Sequence, residues 1–216
     1  MNPYQCVIWD WNGTLADDLQ ASLQATNDIL RHRGKPPITL EQYYAYMDSP
    51  ISRFYEHLFD LRQVTMLEIG REFSQYYPKY FHHLHDGVPL LLQRLQTKGI
   101  HQVILSASHR KPVEENTARF GIRQYFDEII AAEDQLANSK IERAKAWIAQ
   151  QPIPPENMIL IGDTLHDYDV AQAIGTDCIL CAFGHQAEAD LRATGVPVVT
   201  AISQLEAFLL EPALSR

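Results

Sequence analysis

The stretch Asp10-Trp11-Asn12-Gly13-Thr14-Leu15 decides how this chain folds. It follows directly on the apolar run Cys6-Val7-Ile8-Trp9. A short apolar run that ends in polar residues and a glycine predicts a buried strand followed by a tight loop. We therefore expect Asp10 at the end of a strand.

The second half of the chain alternates short apolar runs with segments of helical spacing. Buried strands are predicted at Gln102–Ser106, Glu128–Ala131, Met158–Gly162 and Cys178–Ala182. Apolar residues three and four positions apart predict helices, as in Val88-Leu91-Leu92-Leu95 and Ile202-Leu205-Phe208-Leu209. Strands that alternate with helices predict a Rossmann-like α/β core, in which a parallel sheet is covered by helices on both faces.

Polar side chains stand where several of these strands are predicted to end. Asp10, Ser106 and Asp163 each follow or close an apolar run. Parallel sheets place their functional sites at the carboxyl ends of the strands. We therefore expect these three side chains to lie at one edge of the sheet and to form part of a site.

The segment from Ala16 to His85 differs from the rest, because it shows no strand pattern. Apolar spacing predicts one long helix through Leu19-Leu23-Leu30. A second helix is predicted from Val64, Leu67, Phe73, Tyr77, Tyr80 and Phe81. The sequence therefore predicts a core of residues 1–15 and 86–216, with an all-helical cap inserted at about residues 16–85.

Composition and charge limit the classes of partner. The chain has 216 residues, of which 46% are hydrophobic and 21% charged, as is typical of a globular protein with a real core. A formal net charge of −9 argues against nucleic acid or an anionic membrane as partner. No apolar run approaches the roughly 20 residues that span a bilayer. Three cysteines and the lack of a visible signal peptide predict a cytoplasmic protein.

Four separated motifs occur along the chain in a characteristic order. They are Asp10 with its Gly13-Thr14-Leu15, the strand that closes with Ser106, Lys140 in Asn138-Ser139-Lys140, and Gly162-Asp163-Thr164-Leu165-His166-Asp167. In type and order they resemble the haloacid dehalogenase-like hydrolases, in particular the phosphoglycolate phosphatase-like branch with a helical cap. The resemblance implies a Mg²⁺-dependent phosphatase that hydrolyses a small phosphorylated metabolite through an aspartyl-phosphate.

The resemblance also implies roles for the motif residues. Asp10 is the expected nucleophile, and Mg²⁺ is expected to bind to Asp10, Asp163 and the backbone carbonyl of Asn12. Carboxylate and carbonyl oxygens are ligands that suit this ion. The remaining motif residues are expected to hold phosphate (Ser106 and Lys140) or to support the site (Thr14 and Asp167). As an assembly, we expect a monomer or a homodimer.

Asn12 departs from the pattern of these phosphatases, which have a second aspartate at this position. That aspartate protonates the leaving group and then activates water, whereas an amide does neither. General acid–base catalysis contributes about 10²–10⁴-fold to a rate. We therefore expect Asn12 to slow one or both half-reactions, and from the sequence alone Asn12→Asp is expected to raise the rate.

The sequence leaves several interpretations of Asn12 open. A phosphatase could act on a substrate with a good leaving group, or could use another acid, for which Asp48, His57 and His109 are candidates. Alternatively, the protein could bind a phosphorylated ligand, as a sensor or regulator with little turnover.

Two further interpretations change the chemistry at this position. Phosphonate hydrolase-type chemistry on the same scaffold needs a cap lysine, and the predicted cap offers only Lys35 and Lys79. Dehalogenases also lack the second aspartate, but they need no metal, and the intact acidic motif argues against them. Finally, Asn12-Gly13 is prone to deamidation, which would place a carboxylate at residue 12.

Two other motifs are predicted to be structural. Cys178-Ile179-Leu180-Cys181 has CxxC spacing, but in a strand positions i and i+3 face opposite sides, so no zinc or redox site is expected. His82, His83 and His85 stand with Asp86 where the predicted cap rejoins the core, and a solvated hinge is expected there rather than a metal site.

Overall fold

The computed structural model describes residues 4–80, 82–133 and 139–210. Within these ranges the strands are β1 (Cys6–Trp9), β2 (Ala16–Asp17), β3 (His83–Leu84), β4 (His101–His109), β5 (Glu128–Ala132), β6 (Met158–Gly162), β7 (Asp177–Cys181) and β8 (Val198–Val199). The α-helices are α1 (Leu19–His32), α2 (Leu40–Tyr46), α3 (Ile51–Glu56), α4 (Met66–Tyr76), α5 (Val88–Thr97), α6 (Arg110–Arg119), α7 (Lys140–Ile148), α8 (Leu165–Ile174), α9 (Glu188–Arg192) and α10 (Ile202–Leu210). None of these helices combines the length and the apolar character that crossing a membrane requires.

In the described residues, the central layer is a parallel sheet of six strands in the order β5-β4-β1-β6-β7-β8. β1 lies inside the sheet, between β4 and β6. Trp9 is in register with Ile104 and Ile161, and the backbone N–H of Asp10 donates to the carbonyl of Ile161 at 2.8 Å. Asp10 therefore leaves the sheet between its neighbours' carboxyl ends. The parallel sheet with flanking helices confirms the predicted fold class.

Helices cover both faces of the sheet, because its strands are apolar on both sides. Along β1, Trp9 packs in a cluster with residues of α5 and α10, whereas Ile8 packs in a second cluster with residues of α7 and α8. The same alternation separates the two cysteines of β7, since Cys178 lies in the second cluster and Cys181 in the first. Both thiols are buried and neither forms a disulfide.

The end of β4 differs from the prediction. The strand was expected to close at Ser106, but it continues to His109. Its register against β5 shifts between Leu105 and His109, so the chain passes through an irregularity and stays extended. The prediction that Ser106 ends its strand is therefore wrong, and Ser106 lies inside β4.

Residues 19–79, which we call the helical segment, contain the four helices α1 to α4 and the 3-10 turn Tyr77–Lys79. Its buried apolar side chains form a cluster of their own, separate from both faces of the sheet. Capping boxes at Thr39 and Thr65 set the starts of α2 and α4. The second predicted helix is shorter than expected and gives way to the 3-10 turn before Pro78, which cannot donate a backbone hydrogen bond. Phe81 lies outside the described residues.

A short antiparallel ribbon joins the entry and the exit of the helical segment. Ala16 pairs with Leu84 and Asp17 with His83 in β2 and β3. The expectation of no strand between residues 16 and 85 is therefore wrong at both ends, because strands of two residues leave no periodic pattern. The division into a core of residues 1–15 and 86–216 and a cap of residues 16–85 stays a prediction.

The first testable prediction concerns the sheet core. Leu92→Ala in α5 is expected to lower the free energy of unfolding by about 2–5 kcal/mol, because the Leu92 side chain is fully buried and its removal leaves a cavity. Leu90→Ala in the same helix is the matched control, because Leu90 is 51% exposed. Urea unfolding measures both variants, and equal losses would contradict the packing of α5 described above.

Candidate active site

Lys140 is the centre of a buried cluster of charges at the carboxyl ends of β1 and β6. Its Nζ donates to Oδ1 of Asp10 at 2.5 Å and to Oδ1 of Asp167 at 2.6 Å. Ser139 and Glu142 form a capping box, so α7 begins at Lys140. The start of α7 therefore holds the lysine against Asp10.

Asp163 and Asp167 are positioned by the turn between β6 and α8. Thr164 is the N-cap of α8, and Oδ2 of Asp167 accepts hydrogen bonds from its backbone N–H at 3.0 Å and its hydroxyl at 2.7 Å. Asp163 accepts from the hydroxyl of Thr14 at 3.0 Å and from the backbone N–H of His185 at 2.6 Å. The loops after β1, β6 and β7 therefore meet at Asp163.

Glycines allow these loops to approach the carboxylates. A Cβ atom at Gly13 or at Gly184 would lie 2.2 Å from Oδ2 of Asp163, and one at Gly162 would lie 2.3 Å from the side chain of Asp167. Gly13 also has a φ of 73°, a left-handed conformation that favours glycine. A side chain at any of these positions would displace its loop, which explains the glycines of both acidic motifs.

The three carboxylates of Asp10, Asp163 and Asp167 share this buried space with a single ammonium group. One oxygen from each lies within 4.8 Å of the others. Burial raises the pKa of Asp10 to about 8, although the charge of Lys140 acts to lower it. The two other carboxylates also raise the pKa of Asp10. Burial also raises the pKa of Asp163 to about 6, against the charge of His185. This excess of negative charge on oxygen atoms fits a hard divalent cation.

Asn12 is half-buried in the loop after β1 and is held by hydrogen bonds at both ends of its amide. Its Nδ2 donates to Oδ2 of Asp18 at 2.6 Å and lies 3.4 Å from the hydroxyl oxygen of Tyr77. Its Oδ1 accepts from the hydroxyl of Ser108 at 2.6 Å. The amide is therefore held in one orientation, with its N–H groups toward the start of α1 and its oxygen toward β4.

Asp18 and His185 form a buried ion pair beside Asn12. Nε2 of His185 lies 3.2 Å from Oδ1 of Asp18, and its Nδ1 lies 3.0 Å from the hydroxyl of Tyr43 in α2. Burial alone would raise the pKa of Asp18, but the charge of His185 and several hydrogen bonds lower it to about 2. Burial alone would lower the pKa of His185, but Asp18 raises it to about 9. Both groups are therefore charged at neutral pH.

Sequence patterns do not identify Asp18, because an acidic residue directly before a helix is ordinarily an N-cap. Asp18 occupies the N-cap position of α1, but its carboxylate makes no capping hydrogen bond. It accepts instead from the backbone N–H of Gly13 at 2.7 Å. The sequence signal that could have identified Asp18 is the run Ala16-Asp17-Asp18-Leu19, in which two adjacent acids stand between apolar residues. In such a run one of the two acids is expected to be buried, and a buried acid needs hydrogen-bond or charge partners.

Ser106 is buried in β4, and its hydrogen bonds do not involve the carboxylate cluster. Its Oγ accepts from the backbone N–H of Ser108 at 3.1 Å, and its carbonyl accepts from the guanidinium of Arg143 at 2.9 Å. Phosphate binding by Ser106 and Lys140 stays a prediction. Asn138, which precedes the lysine motif, lies outside the described residues.

The sequence suggested three other residues that could act as the catalytic acid in place of residue 12, and all three are exposed. The carboxylate of Asp48 accepts from Arg53 at 3.4 Å, and the ring of His57 stacks on Tyr46 with 4.6 Å between centroids. His109 is the N-cap residue of α6. The charged groups that lie beside Asn12 are instead Asp18 and His185.

The histidines near the exit of the helical segment do not converge on one point. His83 is exposed and lies 3.3 Å from Asp17, whereas Nε2 of His85 lies 3.1 Å from the carbonyl of Gly13. His82 is buried, and neither of its ring nitrogens has a hydrogen-bond partner among the described residues. The expectation of a solvated hinge therefore describes His83 and is wrong for His82.

The loop between α2 and α3 reaches the core beside the acidic motif of α8. The hydroxyl of Ser49 lies 3.3 Å from Nδ1 of His166, and the side-chain amide of Gln186 donates to the carbonyl of Met47 at 3.2 Å. The helical segment thus contacts both the turn after β6 and the loop after β7.

The second testable prediction concerns the buried lysine. Lys140→Ala is expected to lower the free energy of unfolding by about 3–5 kcal/mol, because it leaves the two buried carboxylates of Asp10 and Asp167 without their cation. Although burial alone lowers the pKa of Lys140, Asp10 and Asp167 raise it above its usual value, so the lysine is charged.

Lys111→Ala is the control, because Lys111 is exposed and its ion pair with Glu115 lies at the surface. Its effect is expected to stay within about 0.5 kcal/mol. Denaturant unfolding in metal-free buffer compares the two variants. A loss below about 1 kcal/mol for Lys140→Ala would contradict its buried pairing.

Comparison with known proteins gives three kinds of match. A sequence model of the family described as haloacid dehalogenase-like hydrolase matches residues 7–181. The tyrosine-protein kinase PtkA of Mycobacterium tuberculosis is 26% identical over 204 residues, which cover 91% of this chain and 68% of PtkA. A phosphoglycolate phosphatase of Rhodobacter capsulatus is 26% identical over 197 residues, which cover 83% of this chain and 85% of that enzyme. The solved structure of a hydrolase described as a haloacid dehalogenase-like family protein, from Streptococcus pneumoniae, superposes with a TM-score of 0.83 at 20% identity, over 95% of this chain and 98% of that one.

Proposed function

The chain belongs to the haloacid dehalogenase-like hydrolases, and we propose that it is a Mg²⁺-dependent phosphatase that hydrolyses a small phosphate monoester through an aspartyl-phosphate on Asp10. The buried contact of Lys140 with Asp10 and Asp167, beside Asp163, carries this proposal. It lies at the carboxyl ends of parallel strands, where such folds bind ligands. The relative named phosphoglycolate phosphatase supports a small phosphorylated substrate.

The proposed reaction has two steps at Asp10. In the first, a carboxylate oxygen of Asp10 bonds to phosphorus, and the bond from phosphorus to the ester oxygen breaks. In the second, water bonds to phosphorus, the aspartyl bond breaks, and inorganic phosphate leaves. Lys140, 2.5 Å from Asp10, balances the negative charge that gathers there. Ser106 is proposed to hold a phosphate oxygen together with Lys140.

The proposed metal ligands are Asp10, Asp163 and the backbone carbonyl of Asn12. Thr14 supports them by holding Asp163 with its hydroxyl. Asp167 is better suited to a supporting role, because its Oδ1 pairs with Lys140 and its Oδ2 accepts three hydrogen bonds, whereas each oxygen of Asp163 accepts one. When bound, Mg²⁺ supplies the positive charge that lets a carboxylate approach a phosphate.

We propose that residues 16–85 act as a cap over this edge of the sheet, and that residues 1–15 and 86–216 form the core beneath it. The loop Met47–Pro50 is the part of the cap proposed to select the substrate, because Ser49 contacts His166 within the acidic motif. On this proposal the substrate binds between this loop and Asp10.

Proton transfer is the slow part of the proposed reaction. The leaving group must gain a proton in the first step, and the attacking water must lose one in the second. Asn12 carries out neither transfer, so both protons exchange with solvent. Loss of a general acid–base costs about 10²–10⁴-fold in rate.

Slow hydrolysis favours one second candidate, transfer of the phosphoryl group to an acceptor other than water. The observation behind it is the 26% identity to proteins named tyrosine-protein kinase. Phosphonate hydrolase-type chemistry is less favoured, because the two lysines of the predicted cap lie against aromatic rings: Lys35 over Phe59 and Lys79 over Tyr76. Ligand binding with little turnover remains the alternative if no reaction is found.

The third testable prediction is the activity itself. Phosphate release from a panel of small phosphomonoesters is expected to need Mg²⁺ and to fall to background in Asp10→Asn, which keeps the size of the side chain but removes the nucleophile. Asp169→Asn is the control, because this aspartate of α8 is exposed. Release that survives Asp10→Asn, or that needs no metal, would rule out the mechanism. Label passing from ATP to a tyrosine peptide without phosphate release would favour the second candidate.

The fourth testable prediction concerns metal binding without turnover. Mg²⁺ at about 100 times its Kd is expected to stabilise the protein by about 2.7 kcal/mol, which corresponds to a rise in Tm of about 5–10 °C. Asp163→Asn is expected to abolish the rise, whereas Glu115→Gln at an exposed site is expected to retain it. If Asp163→Asn keeps the full rise, Asp163 is not a ligand.

A further inference from the structure

The amide of Asn12 and the carboxylate of Asp18 are matched partners. Nδ2 of Asn12 donates to Oδ2 of Asp18 at 2.6 Å, and Asp18 is 1% exposed. At this distance one partner must supply a proton and the other must accept it. Both oxygens of Asp18 already accept hydrogen bonds, Oδ1 from the backbone N–H of Gly13 and Oδ2 from the hydroxyl of Tyr77, so residue 12 is the donor.

The other partners of Asp18 fix it as the acceptor. Its Oδ1 accepts from the backbone N–H of Gly13 at 2.7 Å and faces Nε2 of His185 at 3.2 Å. Its Oδ2 accepts from the hydroxyls of Tyr77 at 2.8 Å and Ser22 at 3.4 Å, in addition to the Asn12 amide. The carboxylate is therefore surrounded by donors from the loop after β1, from α1, from the 3-10 turn and from the loop after β7.

We propose that Asp18 is the positioning residue that requires an amide at residue 12. Residues 12 and 18 together carry one carboxylate and one amide. In this chain the carboxylate is at residue 18 and the amide is at residue 12. In this form the pair holds the loop of Asp10 and ties it to the helical segment through Tyr77, but it leaves no proton carrier in the reaction. This inference rests on the proposed phosphatase function for its activity readout only.

An ionised carboxylate introduced at residue 12 alone has no proton to donate and cannot take the place of the amide. It would face the carboxylate of Asp18 at about 2.6 Å in a buried site, and the two like charges would repel. The loop from Asp10 to Gly13 would have to move to separate them. Asn12→Asp alone is therefore expected to disturb the nucleophile rather than to improve the reaction, contrary to the expectation from the sequence.

Exchange of the two side chains keeps the match of donor and acceptor between residues 12 and 18, while it moves the negative charge from residue 18, beside His185, to residue 12. In the variant Asn12→Asp/Asp18→Asn, the amide oxygen at residue 18 can accept from Gly13 and His185, and the amide nitrogen can donate to the carboxylate at residue 12. The amide nitrogen at residue 18 has two hydrogens, so it can also donate to the hydroxyl oxygen of Tyr77, whereas the longer contact with Ser22, at 3.4 Å, is lost. The number of charges in the cluster is unchanged, and a carboxylate now stands at residue 12, in the loop that follows Asp10.

The experiment is a double-mutant cycle of Asn12→Asp, Asp18→Asn and the exchange variant, measured by Tm in metal-free buffer. Asn12→Asp alone is expected to lower Tm by about 5–10 °C, as for an uncompensated buried charge. The exchange variant is expected to regain most of the loss, which a merely additive effect would not do. If Asn12→Asp does not fold, an exchange variant that does fold also shows the expected recovery. Losses that add without recovery would overturn the proposal.

Phosphate release with Mg²⁺ is the second readout of the same four proteins. Asn12→Asp alone is expected to fall several-fold below the parent chain, and the exchange variant to exceed the parent by about 10²-fold in kcat, the lower range of general acid–base catalysis. A gain in Asn12→Asp alone equal to that of the exchange variant would overturn the proposal. If none of the four proteins releases phosphate, the proposed function fails, while the Tm cycle still decides whether residues 12 and 18 are matched.

Discussion

The site depends on one physical constraint, which is that three carboxylates can occupy a small buried space only with positive charge between them. The ammonium of Lys140 supplies it by contacting Asp10 and Asp167 at once. Removal of an ion from water costs several kcal/mol, and only close pairing repays this cost. The capping box that starts α7 at Lys140 is therefore as much a part of the site as the strand that ends before Asp10.

A second ion pair joins this cluster to the helical segment. The backbone N–H of His185 bonds to Asp163, and its ring lies against Asp18 and the hydroxyl of Tyr43. One residue of the loop after β7 therefore connects Asp163 to α2 by hydrogen bonds. Because Asn12 bonds to the same Asp18, the loop of Asp10 and the helical segment share one buried network. These contacts couple the loop of Asp10 to the helical segment.

Much of the architecture follows from local apolar runs, and the exceptions have identifiable causes. Residues 158–162 were expected as a strand and form β6 with those same bounds, because the run is apolar and is closed by Gly162. Ser106 was misplaced because an irregularity in β4 keeps the chain extended beyond it. The ribbon of β2 and β3 was missed because two residues are too few for a period. Asp18 was missed because an acid before a helix is ordinarily an N-cap, and because two of its partners, Tyr77 and His185, are remote in sequence.

The sequence by itself determined the parallel α/β core, the family, and the residues Asp10, Lys140, Asp163 and Asp167 that meet at its carboxyl edge. These follow from apolar periodicity and from motifs whose members are close along the chain. Only the tertiary structure decided why residue 12 is an amide. The reason is a carboxylate at Asp18, held by donors from four separate parts of the chain, which needs a proton donor within hydrogen-bond distance. No spacing in the sequence specifies such a meeting, because burial and folding alone bring these groups together.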